Sequence, residues 1–105
     1  MNDINTIDNK EIINLTKKST VVVFGKGEKN KPYCGFTANM QNIFDDAFPE
    51  YEMINILGNR DLREAMKTFS DWPTFPQVYI NGKFIGGGDI IQEMYEEKEL
   101  EELIK

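Results

Sequence analysis

Histidine is absent from this sequence and cysteine occurs once, which excludes several kinds of site. A single thiol cannot form a disulfide within the chain, and without histidine the usual soft ligands of a zinc site are missing. Long apolar runs are missing too, because the longest are about five residues, far short of the roughly 20 that span a bilayer. We therefore expect no membrane segment, and any soft metal must take further ligands from other molecules.

The net charge is acidic, since 12 Lys and Arg against 18 Asp and Glu give −6 at pH 7. This balance leaves no wide basic face for counterion release, so we expect no nucleic-acid partner. Apolar residues still make up 40% of the 105 residues, enough to fill the core of one domain over residues 1–105. Residues 1–9 carry acid and amide groups instead of a targeting pattern, which predicts a cytoplasmic location, or an organellar matrix if a presequence has been removed.

Helix and strand patterns alternate along the first half of the chain. Asp8 before an apolar repeat predicts a short capped helix, and the β-branched run 20–24 predicts a strand buried on both faces. A polar loop, residues 26–33, leads to a helix that begins at Cys34 and is stopped by Pro49. The apolar stripe of this helix is formed by Phe36, Met40, Ile43, Phe44 and Ala47.

The second half continues with a strand at residues 51–57, a helix stripe within residues 62–69 and a strand at residues 78–80. Asn81-Gly82 is a hairpin signal leading into residues 83–85. Asp89, with Gln92 three residues later, resembles a helix cap, and a final helix carries Leu100, Leu103 and Ile104. This order predicts an α/β fold with a mixed four-stranded sheet and helices on both faces.

Cys34 is the residue on which a chemical function depends. A lone cysteine in a small domain is often a buried filler, because a free thiol packs as a small hydrophobe. At a helix N-terminus, however, unpaired N–H groups and the helix dipole stabilise a thiolate. We expect further positive charge from Lys26, Lys29 and Lys31, and an exposed position after the polar loop. The sequence therefore predicts an accessible, activated thiolate at Cys34.

A family resemblance is carried by several motifs in order. Cys34-Gly35-Phe36-Thr37 resembles the Cys-Gly-Phe-Ser signature of monothiol glutaredoxins, and Lys26-Gly27 resembles the Lys-Gly pair of that family. Residues 72–82 and 84–87, followed by Asp89-Ile90, also match it closely, so the similarity runs from about residue 21 to the C-terminus. A run of motifs this long is specific, whereas four residues alone would be weak.

The resemblance implies a thioredoxin-like fold, glutathione binding and a [2Fe–2S] cluster shared between two chains through Cys34. It implies that Lys26 and Arg63 engage the glycine carboxylate of glutathione and that Phe75 offers its backbone to the cysteinyl part, as a peptide can add to a strand edge. Gly88 and Asp89 are expected at the γ-glutamyl end, with Asp89 meeting the amino group and the helix N-terminus meeting the carboxylate. It also suggests a cis peptide before Pro76.

Three positions depart from the family pattern. Thr37 replaces the usual Ser and keeps the hydroxyl, so we expect a mild effect. Glu28 stands where Thr is common, which places a negative charge near an anionic ligand. Gly88 replaces a second Cys that many members carry, so no regulatory disulfide with Cys34 can form.

Several other residues have ordinary structural roles that compete with a functional one. Trp72 is interpreted as packing, Arg63 as a ligand contact, and Lys67 is left open between a surface charge and the site. Residues 31–34 also resemble the Cys-Pro-Tyr-Cys centre of dithiol glutaredoxins with its first Cys lost. We reject that alignment because Lys26-Gly27, the longer loop and the helix start at Cys34 fit the monothiol pattern.

Three functions are compatible with these residues. The first is an iron–sulfur carrier, a cluster-bridged homodimer when loaded and a monomer when empty, which delivers its cluster to apo iron–sulfur proteins. The second is a glutathione-dependent thiol–disulfide oxidoreductase using Cys34 alone, for which the resemblance implies weak activity. The third is a non-catalytic interaction module. The motifs favour the carrier.

Overall fold

The computed structural model of the protein describes residues 7–104 and has an α/β fold built on a mixed sheet. The helices are α1 (Asn9–Thr16), α2 (Gly35–Ala47), α3 (Arg60–Ser70), α4 (Gly88–Glu96) and α5 (Leu100–Ile104). The strands are β1 (Val21–Gly25), β2 (Gly27–Glu28), β3 (Lys31–Pro32), β4 (Glu52–Asn55), β5 (Gln77–Ile80) and β6 (Lys83–Gly86). The main sheet has the order β4-β1-β5-β6, with β1 parallel to β4 and antiparallel to β5.

Strand β1 is completely buried because helices cover both faces of the sheet. Successive side chains of a strand point to opposite faces. Val21 and Val23 therefore pack with the apolar residues of α2, α4 and α5, whereas Val22 and Phe24 pack with those of α1 and α3. The predicted four-stranded mixed sheet with helices on both faces is confirmed.

Local signals place several element ends correctly. The Asp8 carboxylate accepts a hydrogen bond from the N–H of Glu11 at 2.9 Å and caps α1. Asn81 and Gly82 have φ values of 53° and 79°, the left-handed pair that a tight hairpin between β5 and β6 requires. Because these signals depend on a few neighbouring residues, the sequence is sufficient to identify them.

Two predicted features are wrong in detail. Helix α4 is capped by Gly87, not by Asp89, which is the second residue of the helix. Gln92 instead accepts a hydrogen bond from the Asn39 side chain of α2 at 2.7 Å. Phe36 does not join the core stripe of α2 but is 70% exposed, because it lies in the first turn, where the helix borders a groove.

The polar loop contains a structure that the sequence did not predict. Strands β2 and β3 pair antiparallel, with Gly27 opposite Pro32 and Glu28 opposite Lys31, and form a short ribbon over residues 27–32. The N–H of Tyr33 donates to the Lys26 carbonyl at 2.9 Å and closes the base of this ribbon. Strands of two residues are too short to show a hydrophobic period, so no sequence pattern predicts them.

No helix within residues 7–104 is both long and apolar enough to cross a membrane. The expectation that no targeting peptide is present rests on residues 1–9, and the first six of these lie outside the described residues.

Candidate active site

Cys34 is the N-cap residue of α2, with the extended backbone conformation typical of that position. Its Sγ accepts a hydrogen bond from the N–H of Thr37 at 3.4 Å, so the thiol sulfur takes the place of the usual capping oxygen. The side chain is partly exposed and is flanked by Tyr33 and Phe36, which are 77% and 70% exposed. The predicted position at the start of a helix is confirmed, and the thiol can be reached from outside.

The pKa of Cys34 is lowered from its ordinary value by its surroundings. Partial burial raises the pKa, since it disfavours the charged thiolate. Hydrogen bonds from the Thr37 hydroxyl and from the N–H groups of Thr37 and Phe36 lower it, and so does the charge of Lys26. Together these four contributions outweigh burial, and the activated thiolate predicted for this site has a structural basis.

Of the three lysines predicted to add positive charge near Cys34, only Lys26 contributes to its lowered pKa. The Lys29 ammonium donates to the carbonyls of Pro49 and Tyr51 at 2.7 and 2.9 Å and lies over the Tyr51 ring at 4.2 Å. It therefore binds the turn between α2 and β4. Lys31 is exposed on β3 and does not line the groove described below. The sequence does not show where this loop runs, so it does not show which of the loop's charges lie near the cysteine.

Thr37 joins the thiol to the start of the ribbon. Its side chain is fully buried, and its Oγ1 lies 3.2 Å from Cys34 Sγ and accepts a hydrogen bond from the N–H of Lys26 at 3.3 Å. From the sequence alone, Thr37 is expected only to be a mild replacement of Ser. Its spacing of three residues from the N-cap was the available signal, since that residue borders the cap side chain.

An open groove of about 680 Å³ lies next to Lys26 and Phe36, two residues that interact with Cys34, although Cys34 itself is not among the residues that line it. It is lined by Lys26 and Phe36, by Arg63 and Lys67 of α3, by residues 72–76, and by residues 87–90 at the start of α4. The five residues predicted to bind glutathione, which are Lys26, Arg63, Phe75, Gly88 and Asp89, all line this groove. Phe36 and Lys26 connect it to Cys34 through the contacts described above.

One part of the groove is cationic. Arg63 and Lys67 both approach the Glu64 carboxylate, at 3.5 and 3.3 Å, and their side chains remain 44% and 37% exposed. Lys26, which is also exposed, lines the same groove. Lys67, whose role the sequence left open, is therefore a groove residue as well as a partner of Glu64.

The start of α4 presents backbone N–H groups to the groove. The Gly87 cap has no side chain to bond them, whereas α1, α2 and α3 each have a side-chain cap. A Cβ added at Gly88 would meet no other atom within 4 Å, so this position is open, and the Asp89 side chain is exposed beside it. A helix N-terminus of this kind suits a carboxylate.

Aromatic residues form a further part of the groove wall. Trp72 packs against Phe84 with ring centroids 5.6 Å apart, as its interpretation as packing requires, but it also lines the groove. Its Nε1 is buried and has no hydrogen-bond partner within residues 7–104. The Phe75–Pro76 bond is cis, as the resemblance suggests. Phe75 precedes β5, which lies between β1 and β6, so it belongs to the segment leading into an inner strand and not to a free sheet edge.

A metal centre made by this chain alone is not found within the described residues. No group of three or more Cys, Asp or Glu side chains there is placed to hold a metal ion. Cys34 is the only cysteine, so the chain can offer one thiolate to a soft metal.

The chain has a thioredoxin-like fold with one activated thiol. The groove near this thiol is cationic at one part and bordered by a helix N-terminus at another. Together these features define a class of thiol proteins. The glutaredoxin family model matches residues 21–85. The chain belongs to the glutaredoxin family, whose function is glutathione-related redox chemistry, and its curated relatives are of the monothiol type.

The similarity extends over most of the chain. A probable monothiol glutaredoxin 2 of Rickettsia typhi is 49% identical over 96 residues, covering 91% of this chain and 86% of that protein. Among solved structures, reduced apo GrxS14 of poplar is 42% identical with a TM-score of 0.78, covering 89% of this chain and 85% of that one. A buckwheat glutaredoxin–glutathione complex is 26% identical with a TM-score of 0.77, covering 90% and 84%.

Proposed function

We propose that this chain binds glutathione in the groove beside Cys34 and, as a pair of chains, carries a [2Fe–2S] cluster to apo iron–sulfur proteins. The observation that carries the proposal is one activated, reachable thiol next to a groove with cations at one part and a free helix N-terminus at another. A related glutaredoxin of the same fold was solved with glutathione, which supports the choice of ligand.

Glutathione at physiological pH carries two carboxylates and one ammonium group. In the proposed arrangement Lys26 and Arg63 pair with the glycine carboxylate through charge-assisted hydrogen bonds. The first N–H groups of α4, including that of Gly88, receive the α-carboxylate, and the exposed Asp89 carboxylate pairs with the ammonium group. The segment at Phe75, which lines the same groove, would meet the cysteinyl part in this arrangement.

The ligand count follows from the single cysteine. A [2Fe–2S] cluster takes four ligands, commonly thiolates. Two chains supply two Cys34 thiolates, and two bound glutathiones supply the other two. The cluster is cargo in this account, so the described residues need not form a closed metal site, and an exposed thiol flanked by Tyr33 and Phe36 suits release to a recipient.

Anaerobic reconstitution tests this proposal directly. We expect visible absorption typical of a [2Fe–2S] cluster when iron, sulfide and glutathione are all supplied, and loss of that absorption when glutathione is left out. Cys34→Ser should remain folded by circular dichroism and form no cluster. A normal cluster spectrum in Cys34→Ser, or one independent of glutathione, would reject the proposal.

The lowered pKa of Cys34 also favours a second activity, glutathione-dependent thiol–disulfide exchange. The Cys34 thiolate attacks the glutathione sulfur of a mixed disulfide, and the substrate leaves as its thiolate. A second glutathione thiolate then attacks the Cys34–glutathione disulfide, which releases glutathione disulfide and restores Cys34. One thiol completes this cycle, and a turnover assay with a glutathionylated peptide measures it.

A further inference from the structure

Gln41 is a buried polar residue whose position the core does not explain. It lies on α2, two helical turns after Cys34, is 4% exposed, and has the core residues Met40, Ile43 and Phe44 as sequence neighbours. A buried amide is costly unless both its ends are hydrogen-bonded, and an apolar side chain of the same size would pack there without that requirement. The hydrogen-bond partners of Gln41 must therefore explain why an amide occupies this position.

Both partners of Gln41 are backbone groups at the tip of the ribbon. Its Nε2 donates to the Glu28 carbonyl at 3.0 Å, and its Oε1 accepts from the N–H of Asn30 at 2.7 Å. Asn30 has a left-handed φ of 71°, which is an uncommon backbone conformation. Hydrogen bonds to Gln41 therefore stabilise the turn at the tip. The side chain of Lys29, bonded to the Pro49 and Tyr51 carbonyls, attaches the same tip to the end of α2.

A second amide holds the other end of the ribbon. Asn55 Oδ1 accepts hydrogen bonds from the N–H of Gly27 at 3.0 Å and from that of Leu57 at 2.9 Å. The ribbon is thus fixed at its base by Asn55 and at its tip by Gln41. Lys26 immediately precedes the ribbon and Cys34 follows it by two residues, so its conformation determines how the lysine stands relative to the thiol.

We propose that Gln41 is a positioning residue of the active site, which acts through the ribbon to hold Lys26 toward Cys34 and the groove. The part of this inference that concerns glutathione rests on the proposed function, whereas the part that concerns the thiol does not. The N–H of Lys26 donates to Thr37 Oγ1, which lies 3.2 Å from Cys34 Sγ, and Lys26 lines the groove, so loss of the clamp should release the lysine from both. A positive charge near the thiol stabilises the thiolate, so this release should raise the pKa of Cys34.

The test compares Gln41→Met with Gln92→Met, each made in the natural chain and in Lys26→Ala. Gln92 is a matched control, since its amide bonds Asn39 and Glu96 on the α2–α4 surface and not the ribbon. The Cys34 pKa is measured from the pH dependence of alkylation, and glutathione affinity by calorimetry on the apo chain. We expect Gln41→Met to raise the pKa and to weaken glutathione binding about three- to tenfold, with neither effect in the Lys26→Ala background and neither from Gln92→Met.

Two results would overturn the positioning role. One is a Gln41→Met protein with a lowered free energy of unfolding but an unchanged thiol pKa and glutathione affinity. The other is an equal loss with and without Lys26, which would place the action of Gln41 elsewhere on α2. If Lys26→Ala itself leaves glutathione affinity unchanged, the proposed glycine-carboxylate contact fails, while the pKa measurement still decides the clamp.

A measurement on the unmodified protein covers the case in which Gln41→Met does not fold. Asn30 is an exposed residue, yet its N–H is bonded to Gln41. Amide hydrogen exchange measured by NMR should therefore be much slower at Asn30 than in a free peptide. Exchange of the Asn30 amide at the free-peptide rate would contradict the clamp.

Discussion

Thr37 Oγ1 lies 3.2 Å from Cys34 Sγ while it accepts the N–H of Lys26 at 3.3 Å. A backbone N–H can only donate, so it leaves the Thr37 hydroxyl proton free for the sulfur when the thiol is ionised. The hydroxyl is fully buried, so water does not compete for either bond. One side chain thus connects the charge on the cysteine with the segment that carries Lys26.

The first prediction concerns this hydroxyl. Thr37→Val keeps the shape and removes the donor, so it should raise the pKa of Cys34 and lower the free energy of unfolding by about 1 kcal/mol. Thr37→Ser keeps the donor and should leave the pKa close to that of the natural chain. Alkylation rates followed across pH measure the pKa, and urea titration measures stability. Identical pKa values for Thr37→Val and Thr37→Ser would remove Thr37 from the account.

The second prediction is a pH dependence of stability. Because the pKa of Cys34 is lower in the folded chain than its ordinary value of about 8.5, the folded state prefers the thiolate. Its contribution to stability is complete above the unfolded pKa and is lost as pH falls through the folded pKa. The difference in free energy of unfolding between the natural chain and Cys34→Ser should therefore rise with pH. Urea titrations between about pH 6 and 9 measure it, and a difference that falls over this range would contradict the thiolate.

The third prediction concerns the cationic part of the groove. Arg63→Ala and Lys26→Ala each remove a charged partner of the proposed glycine carboxylate and should weaken glutathione binding by roughly 1–3 kcal/mol. Arg60→Ala is the matched control, since Arg60 is exposed on the same helix but does not line the groove. Calorimetry on the apo chain provides the comparison. Equal affinities in the Arg63 and Arg60 variants would show that the groove does not bind the ligand in this orientation.

The fourth prediction concerns the other part of the groove. Asp89→Asn should weaken glutathione binding while leaving α4 intact, because Gly87 and not Asp89 caps the helix. Glu93→Gln, an exposed carboxylate of the same helix outside the groove, should bind as the natural chain does. A glutathione analogue without its amino group separates the roles, since Asp89→Asn should no longer matter for it. An unchanged penalty with the analogue would assign Asp89 to another contact.

Patterns that depend on near neighbours made much of the fold predictable. The β-branched run of β1 indicated a strand buried on both faces, and the helix stripes on either side fixed the layers. Asp8 and Asn81-Gly82 marked a helix start and a hairpin because cap and turn geometry involve only a few residues. Only the family resemblance predicts that the groove residues lie together, because no periodicity in the sequence connects Lys26 with Asp89.

The structural features that the sequence does not predict depend on contacts between distant segments of the chain. Lys29 binds two carbonyls that follow the end of α2 and does not contribute to the lowered pKa of Cys34. Nothing in the sequence distinguishes Gln41 from an ordinary helix residue, because its hydrogen-bond partners lie at the ribbon tip. Trp72 serves both as packing and as groove wall, and only the position of α4 beside it shows the second role.

Native mass spectrometry of the anaerobically reconstituted protein tests the central claim most directly. One thiolate per chain and four ligands per cluster predict a species of two chains, one [2Fe–2S] cluster and two glutathiones. If the cluster links the two chains as proposed, removal of iron with a chelator should return monomers. Equal dimerisation with and without the cluster, or a cluster held by a single chain or without glutathione, would contradict the account.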